Sequence, residues 1–597
     1  MNNLSHLTVL ILGLGDSGLA MARWCARSGA QVRVWDSREA APQAAALKAA
    51  VPDVVLHTGN LEDAALQSVF SGVDRIFKSP GLAPTDERLV PLFRLAKHQD
   101  IPVQGELDLF AQALAELKRT HGYEPKVVAI TGTNGKTTTT SLTHLLIGRT
   151  GLRAVVAGNI GPTMLQTLSD ALDLEALPAE VVPADESVAP TDAVVVPNEE
   201  ASPEPAEDVV PAEHEAATDA PVVALPDDDA PLIDLIAPPP AAPVFAHLPQ
   251  VWVLELSSFQ LHDVQGFEPS AATVLNVTED HLDWHGTMTA YAADKARIFG
   301  STAVMVINRD DATVQAMAEP APIVVPVVAA TGRGKPKAVK LPKIKPRHVV
   351  RFGLNPPQRP GDFGLVTDNG VAWLVRAREA DETLKPKRGV AVEEDLLIQR
   401  LMPADALRVR GRHNAANALA ALALATAVGC PLAPMLHGLR EYTGEPHRVA
   451  FVATLNGVDI FDDSKGTNVG ATVAAIQGLG ADRSPAKLVL ILGGEGKGQK
   501  FEPLAEPLQQ HGRAVATLGR DAQQIEAVLM GLGLPMQRFE TLQAATRWAL
   551  SQAQSGDSVL LSPACASLDM FDNYVHRAEV FVNEVNAMVQ ELGEVVA

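Results

Sequence analysis

Lys136 and Thr137 close a glycine-rich turn, Thr131-Gly132-Thr133-Asn134-Gly135-Lys136-Thr137-Thr138-Thr139, whose residue types suit it to holding phosphate. Backbone N–H groups of such a turn face an anion, the lysine adds a point charge, and a hydroxyl can reach Mg²⁺. The glycines are spaced Gly132-x-x-Gly135, closer than in the usual G-x-x-x-x-G-K-[ST] pattern. The turn needs a strand before it and a helix after it. Lys126–Ile130 reads as a buried strand and Ser141–Ile147 as a helix. ATP or a similar nucleotide is the expected ligand.

A second turn, Gly13-Leu14-Gly15-Asp16-Ser17-Gly18, follows an apolar run at Leu7–Leu12 and precedes a helix-like Leu19–Ser28. A further strand, Gln31–Trp35, ends in Asp36. This is the G-x-G-x-x-G fingerprint with a following acid. Its literal reading is NAD, but the same half-fold takes other nucleotides. Val73–Lys78 leads into Ser79-Pro80-Gly81, another strand-end turn suited to phosphate or sugar.

Between these turns and the C-terminus lie groups able to do acid, base or metal chemistry. Glu255 stands near the end of the apolar run Val251–Leu256, where α/β ligand sites form, and a carboxylate there suits Mg²⁺. The strand Ala272–Val277 runs into Thr278-Glu279-Asp280-His281-Leu282-Asp283-Trp284-His285-Gly286. His281 and His285 have the spacing of a zinc pair, but the intervening Leu-Asp-Trp lacks the glutamate of that pattern and no cysteine is near. Lys295 falls in a helix-like Tyr291–Phe299. A free ammonium cannot bind a cation, whereas a lysine carbamylated by CO₂ could. Val304–Ile307 ends in Asn308-Arg309-Asp310-Asp311.

The elements that must hold these groups alternate as strands and helices, which predicts α/β units with mainly parallel sheets. With 597 residues and 47% apolar content the chain has room for several full cores. The expected division is a Rossmann-like unit over 1–105, a central P-loop-type ATPase unit over 106–444, and a second Rossmann-like unit over 445–597. The last begins after Gly411-Arg412-His413-Asn414, an Ala/Leu helix at Ala415–Ala427, and the turn Gly444-Glu445-Pro446-His447-Arg448. Its strands are expected at Val458–Phe461, Leu488–Leu492, Ala514–Leu518 and Ser558–Leu561, three of them opening into polar turns.

The net charge of −22 is local: Asp170–Pro249 holds 19 acidic residues and no Lys or Arg, leaving −3 elsewhere. Residues from about 171 to 246, rich in proline and with Phe245 as their one aromatic residue, cannot offset their ordering entropy and are expected to be a disordered acidic insertion. Arg333–Arg351 carries eight basic residues and three prolines, and is expected as an exposed basic loop. No broad basic face suggests nucleic acid. Three unpaired-looking cysteines, no signal-peptide pattern and no bilayer-length apolar run predict a cytoplasmic protein without a membrane span.

Taken together, these blocks resemble the Mur ligases, and within that family its D-glutamate-adding branch. The resemblance spans all three units. It is carried by Gly132–Thr138, Gly158-Asn159-Ile160-Gly161, Leu254–Leu261, Asn276–His281, Gly411–Asn414, Pro446–Arg448, Asp463–Asn468 and Leu561–Asp569, and the short P-loop is the form this family uses. It implies an ATP-dependent ligase. The carboxylate of UDP-N-acetylmuramoyl-L-alanine would be phosphorylated, and the amine of D-glutamate would displace phosphate. By the same resemblance Lys136, Glu255, His281, Lys295 and Lys465 are catalytic. ATP would contact Thr131, Gly132, Thr133, Asn134, Gly135, Lys136, Thr137, Thr138, Asn308, Arg448 and Asp463. The UDP substrate would contact Gly15, Asp16, Ser17, Asp36, Ser37, Arg38, Ser79, Asn159 and His281. D-Glutamate would meet Lys465, Thr467, Lys497, Ser567, Leu568 and Tyr574, the last standing where the family tends to place Phe. Two Mg²⁺ ions are implied, one on Thr137 and Glu255, the other on His281 and carbamylated Lys295. A monomer is expected. The rivals are another Mur ligase, a folylpolyglutamate synthase, an NAD-dependent dehydrogenase and a non-catalytic nucleotide-binding regulator.

Overall fold

The computed structural model describes residues 4–61, 63–175, 244–319, 347–380, 396–409, 411–483 and 485–591. Among these, four sheets organise the chain. The first is wholly parallel: β1 (Thr8–Leu12), β2 (Gln31–Asp36), β3 (Val55–Thr58), β4 (Arg75–Lys78) and β5 (Val103–Gln104), in the order β3-β2-β1-β4-β5. The reversal of strand order at β1 leaves a crevice over its C-terminal end, where ligands of such sheets collect. Gly13–Gly18 lies there.

The second sheet is also parallel: β6 (Lys126–Thr131), β7 (Ala154–Gly158), β8 (Val251–Glu255), β9 (Ala271–Val274), β10 (Val304–Asn308) and β11 (Val349–Phe352), in the order β11-β10-β9-β6-β8-β7. β6 is central, so the P-loop leaves the sheet with neighbours on both sides. Register sets Ile130 and Gly158 beside Glu255. Strands buried on both faces read as continuous apolar runs, which explains Val-Val-Ala-Ile and Val-Trp-Val-Leu. The Ala/Leu helix Arg412–Ala427 packs on the P-loop helix Lys136–Gly148. Its residues 417–425 are all buried, and alanine lets the two backbones come close.

A small antiparallel sheet follows: β12 (Phe363–Asp368), β13 (Val371–Glu379) and β14 (Leu396–Pro403). The fourth sheet comprises β15 (Ala450–Leu455), β16 (Val458–Asp462), β17 (Leu488–Gly493), β18 (Gly512–Leu518), β19 (Met536–Arg538) and β20 (Ser558–Leu561), in the order β15-β16-β20-β17-β18-β19. It is parallel except for β15. One apolar core runs continuously from the helix Asp16–Arg27 through Glu106–His121 to Trp252 and Phe299, so the first two sheets share a packed boundary.

Two expected loops differ at their edges. The helix Met164–Leu174 extends past residue 171, and the Glu175 carboxylate accepts backbone N–H bonds from Ala246, His247 and Leu248 at 2.8, 2.6 and 2.7 Å. The two ends of the acidic segment therefore meet. Its interior, 176–243, lies outside the described residues. Of the basic run, 333–346 lies outside them as well, but Arg347 donates to the carbonyls of Phe299 and Gly300, and Arg351 sits in β11 beside β10. Arg351 is thus part of the sheet, and β11 covers the edge of β10. The Ala/Leu helix starts at Arg412 rather than Ala415, and the expected helix over 291–299 is Met288–Ala296 closed by a 3₁₀ turn.

Candidate active site

Glu255 ends β8 with 1% of its surface exposed. Its Oε1 accepts from Asn159 Nδ2 at 2.9 Å, and its Oε2 is buried without a partner. A buried carboxylate oxygen left unsatisfied costs free energy unless a cation arrives. A carboxylate oxygen of this kind fits the hard oxygen coordination of Mg²⁺.

The P-loop is shaped around this point. Gly135 caps the helix Lys136–Gly148 at φ +81°, and a Cβ there would lie 2.6 Å from Asn417 Oδ1. Lys136 Nζ folds back on the carbonyls of Gly132 and Thr133 at 2.9 and 2.8 Å. Burial lowers its pKa, with Glu255 and Asp280 opposing. Asn134 is held from two sides, its N–H donating to Asn276 Oδ1 at 2.8 Å and its Oδ1 accepting from Asn468 Nδ2 at 3.0 Å.

Lys295 is buried in the same place, on the helix that Thr287 caps. Its Nζ donates to the Gly132 carbonyl at 3.0 Å and stands 4.5 Å from the Tyr291 ring centroid. Burial, and then the neighbouring Lys136 charge, push its pKa far below that of a free lysine. A neutral amine is the form that reacts with CO₂. His281 adopts a left-handed backbone at φ +54°. Burial lowers its pKa, the Asp280 carboxylate opposes, and Lys497 and Lys136 lower it further. His285 does not face a shared metal position with His281, because both its ring nitrogens are engaged, by Asp294 at 3.0 Å and Ser258 at 2.9 Å. Among the described residues no group of three or more His, Cys, Asp or Glu could hold a metal by itself.

Two cavities collect most of the remaining candidates. One of about 400 Å³ over β1 and β2 is lined by Gly15, Asp16, Ser17, Asp36, Ser37, Arg38 and Ser79. Asp36 there is saturated: Arg38 binds it through two guanidinium nitrogens at 2.8 Å, and the Leu14 N–H binds it at 2.7 Å. The Arg38 bonds hold its pKa down at about 2 against burial. Asn159 and His281 are not in this cavity but beside Glu255 and the P-loop.

The other cavity, of about 330 Å³, lies between the second and fourth sheets. Asn134, Gly135, Thr138, Asn308, Arg448 and Asp463 all line it. Arg448 Nη2 reaches across to Thr137 Oγ1 at 2.6 Å. Asp463 is buried with its pKa raised to about 7 by that burial, and Ser562 Oγ donates to it at 2.6 Å. Asn276 and Asn414, each at one end of a block that carries the resemblance, belong to this wall without having been assigned a ligand, and Asn417 joins them without having been singled out.

The last group sits on the turns after β16, β17 and β20. Lys465 Nζ stands 3.7 Å from the Tyr574 ring centroid. Burial and then Arg448 lower its pKa to about 8. Ser567 is buried, Lys497 takes φ +53°, and Leu568 is 67% exposed. A further cavity of about 240 Å³, which sequence reasoning missed, lies between the first two sheets and is lined by Lys78, Pro80, Glu106, Phe259, Gln260 and His262. Pro80 is common to it and the first cavity.

Comparison with known proteins matches three family models. Residues 7–105 match the Mur ligase MurD-like N-terminal domain, 243–349 the Mur ligase middle domain, and 447–565 the Mur ligase glutamate ligase domain. A UDP-N-acetylmuramoylalanine--D-glutamate ligase of Albidiferax ferrireducens is 50% identical over 593 residues, covering 99% of this chain and 98% of the relative. The enzyme of the same name from Burkholderia pseudomallei is 48% identical over 592 residues, with 98% of each covered. A solved UDP-N-acetylmuramate-alanine ligase from Thermotoga maritima aligns over 98% of this chain and 100% of its own at 16% identity and a TM-score of 0.49.

Proposed function

Because this chain belongs to the Mur ligase family, we propose that it joins D-glutamate to UDP-N-acetylmuramoyl-L-alanine at the expense of ATP, a step in building the peptidoglycan precursor. The single observation that carries the reading is the meeting at Glu255 and Lys136 of groups from separate units, with Arg448 of the last unit bonded to Thr137 of the P-loop. Residues 1–105 would hold the UDP end, 106–444 ATP, and 445–597 the amino acid.

The reaction needs a carboxylate oxygen to attack the γ-phosphorus of ATP, releasing ADP, and then an amine to attack the resulting acyl carbon, releasing phosphate. Lys136 would meet the charge that accumulates on the transferring phosphoryl group, and charge placed in advance is what such a transfer requires. Its present bonds to loop carbonyls are ones an arriving phosphate would replace. Arg448 and Asn468 bond the C-terminal unit to the P-loop, and an amine bound on that unit would be delivered close to the acyl carbon. Asn308 and Asp463 would take the adenosine end. Lys465 and Lys497, with Thr467, Ser567, Leu568 and the Tyr574 ring, would take a dicarboxylate. Asn159, bonded to Glu255, would meet the muramoyl portion.

Thr137 and Glu255 would hold one Mg²⁺, and His281 with carbamylated Lys295 a second. When bound, these ions supply positive charge to the phosphate oxygens. We assign it as a monomer to the cytoplasm, where its nucleotide substrates are made. Among the described residues no helix is long and apolar enough to cross a membrane.

The test is phosphate release from ATP in the presence of UDP-N-acetylmuramoyl-L-alanine and each of a panel of amino acids. D-Glutamate alone should support rapid release. Release with another amino acid, and none with D-glutamate, would overturn the assignment.

A further inference from the structure

The His281–His285 spacing has a use other than zinc. Asp294 Oδ2 receives two imidazoles, His285 Nδ1 at 3.0 Å and His262 Nδ1 at 2.9 Å. A carboxylate oxygen only accepts, so both rings donate from Nδ1. That leaves Nε2 of a neutral His285 as an acceptor for the Ser258 hydroxyl, 2.9 Å away. Serine, histidine and aspartate in this order resemble a hydrolase relay. Ser258 is only 2% exposed and the His285 side chain 1%, so no substrate reaches the hydroxyl and the relay faces inward.

What it connects is the active site. Ser258 lies three residues beyond Glu255, His285 four beyond His281, and Asp294 immediately before Lys295. Between them, the Phe259 ring is stacked on His285 at 5.6 Å with a 6° interplanar angle, and meets the His281 ring edge-on at 4.7 Å. Tyr291 faces His285 at 5.1 Å on one side and bonds Thr133 of the P-loop at 3.2 Å on the other. The nearest cation to Asp294 is Arg297, with its Nε at a longer 3.5 Å, so the two histidines dominate what the carboxylate holds.

We propose that Asp294 is a positioning residue. Through His285 and His262 it clamps three short elements together, and so fixes Lys295 against the Gly132 carbonyl and His281 against Phe259. His262 also lines the cavity between the first two sheets, which adjoins the cavity over β1 at Pro80. Groups one bond removed from reacting atoms commonly govern rate in this way.

The proposal rests on the ligase reading, and two measurements on the full chain separate their failures. In Asp294→Ala, kcat for D-glutamate-dependent phosphate release should fall by about 10–100-fold, while KM for UDP-N-acetylmuramoyl-L-alanine stays within about twofold. Asp294→Asn, whose amide oxygen can still accept both N–H bonds at the Oδ2 position but carries no charge, should fall between. Independently of turnover, acylation of Lys295 by an amine reagent, read by peptide mass mapping, should speed up at least about fivefold in Asp294→Ala as the lysine leaves its carbonyl. If wild-type protein releases no phosphate, the ligase reading fails and the labelling contrast still decides the clamp. Should Asp294→Ala not fold, His285→Gln takes its place in both measurements. A kcat within about twofold of wild type together with unchanged Lys295 labelling would overturn the proposal.

Discussion

Two glycine-rich turns at strand ends share a backbone geometry and differ in what surrounds them. Gly13–Gly18 and Gly132–Lys136 each leave the C-terminal end of a central parallel strand and open a helix. Gly13 and Gly135 take φ of +86° and +81°. The surroundings then diverge. Around the first turn the buried acid, Asp36, is spent on Arg38 and the Leu14 N–H, so its charge is neutralised locally. Around the second, Lys136 and Lys295 share the Gly132 carbonyl and a carboxylate oxygen of Glu255 is left without a partner. A satisfied site can hold a ligand. An unsatisfied one is arranged for charge that arrives later, which is what phosphoryl transfer requires.

The contrast can be broken most forcefully at Lys136. Lys136→Ala should lower kcat by at least about 10³-fold in a phosphate-release assay, with binding of the UDP substrate retained. Lys295→Ala should cost about 10²-fold, and short carboxylates such as formate should restore part of that activity if the carbamate reading holds; no restoration would remove that role. At the other turn the effect should move to binding. Arg38→Ala frees Asp36, and KM for the UDP substrate should rise about tenfold with kcat within twofold. A fall in kcat there would mean that the first turn takes part in chemistry.

A smaller effect concerns pH at the amino-acid site. Burial lowers the Lys465 pKa to about 8, so the ammonium that would hold a carboxylate is present below that pH and lost above it. KM for D-glutamate should therefore climb as pH rises through about 8. In Lys465→Arg the climb should disappear, because guanidinium keeps its charge.

Much of this arrangement is written plainly in the chain. Buried parallel strands appear as apolar runs, and the turns that follow them carry the chemistry, so β1, β6, β8 and β20 and their ends were legible. Ser257-x-x-Gln260 is equally local, since it forms a capping box on the short helix Ser258–Leu261. The antiparallel hairpins were missed although a signal existed: Asn369-Gly370 joins β12 to β13 and Asn456-Gly457 joins β15 to β16, all four residues at positive φ. Asn-Gly between alternating apolar residues is the mark of a type I′ turn. Other features were beyond a linear reading. Nothing local says that His262, His285, Ser258 and Asp294 converge, because 32 positions separate His262 from Asp294 and 27 separate Ser258 from His285. Nor does spacing show that Arg448 bonds Thr137, 311 positions away.

The central claim is that the P-loop activates a carboxylate delivered from the first turn. Transfer of oxygen tests it most directly. With ¹⁸O in the alanyl carboxylate of UDP-N-acetylmuramoyl-L-alanine, turnover with ATP and D-glutamate should yield inorganic phosphate carrying one ¹⁸O, since the oxygen that attacks the γ-phosphorus leaves with it. Phosphate free of ¹⁸O, formed while the labelled substrate is converted to amide, would contradict the account.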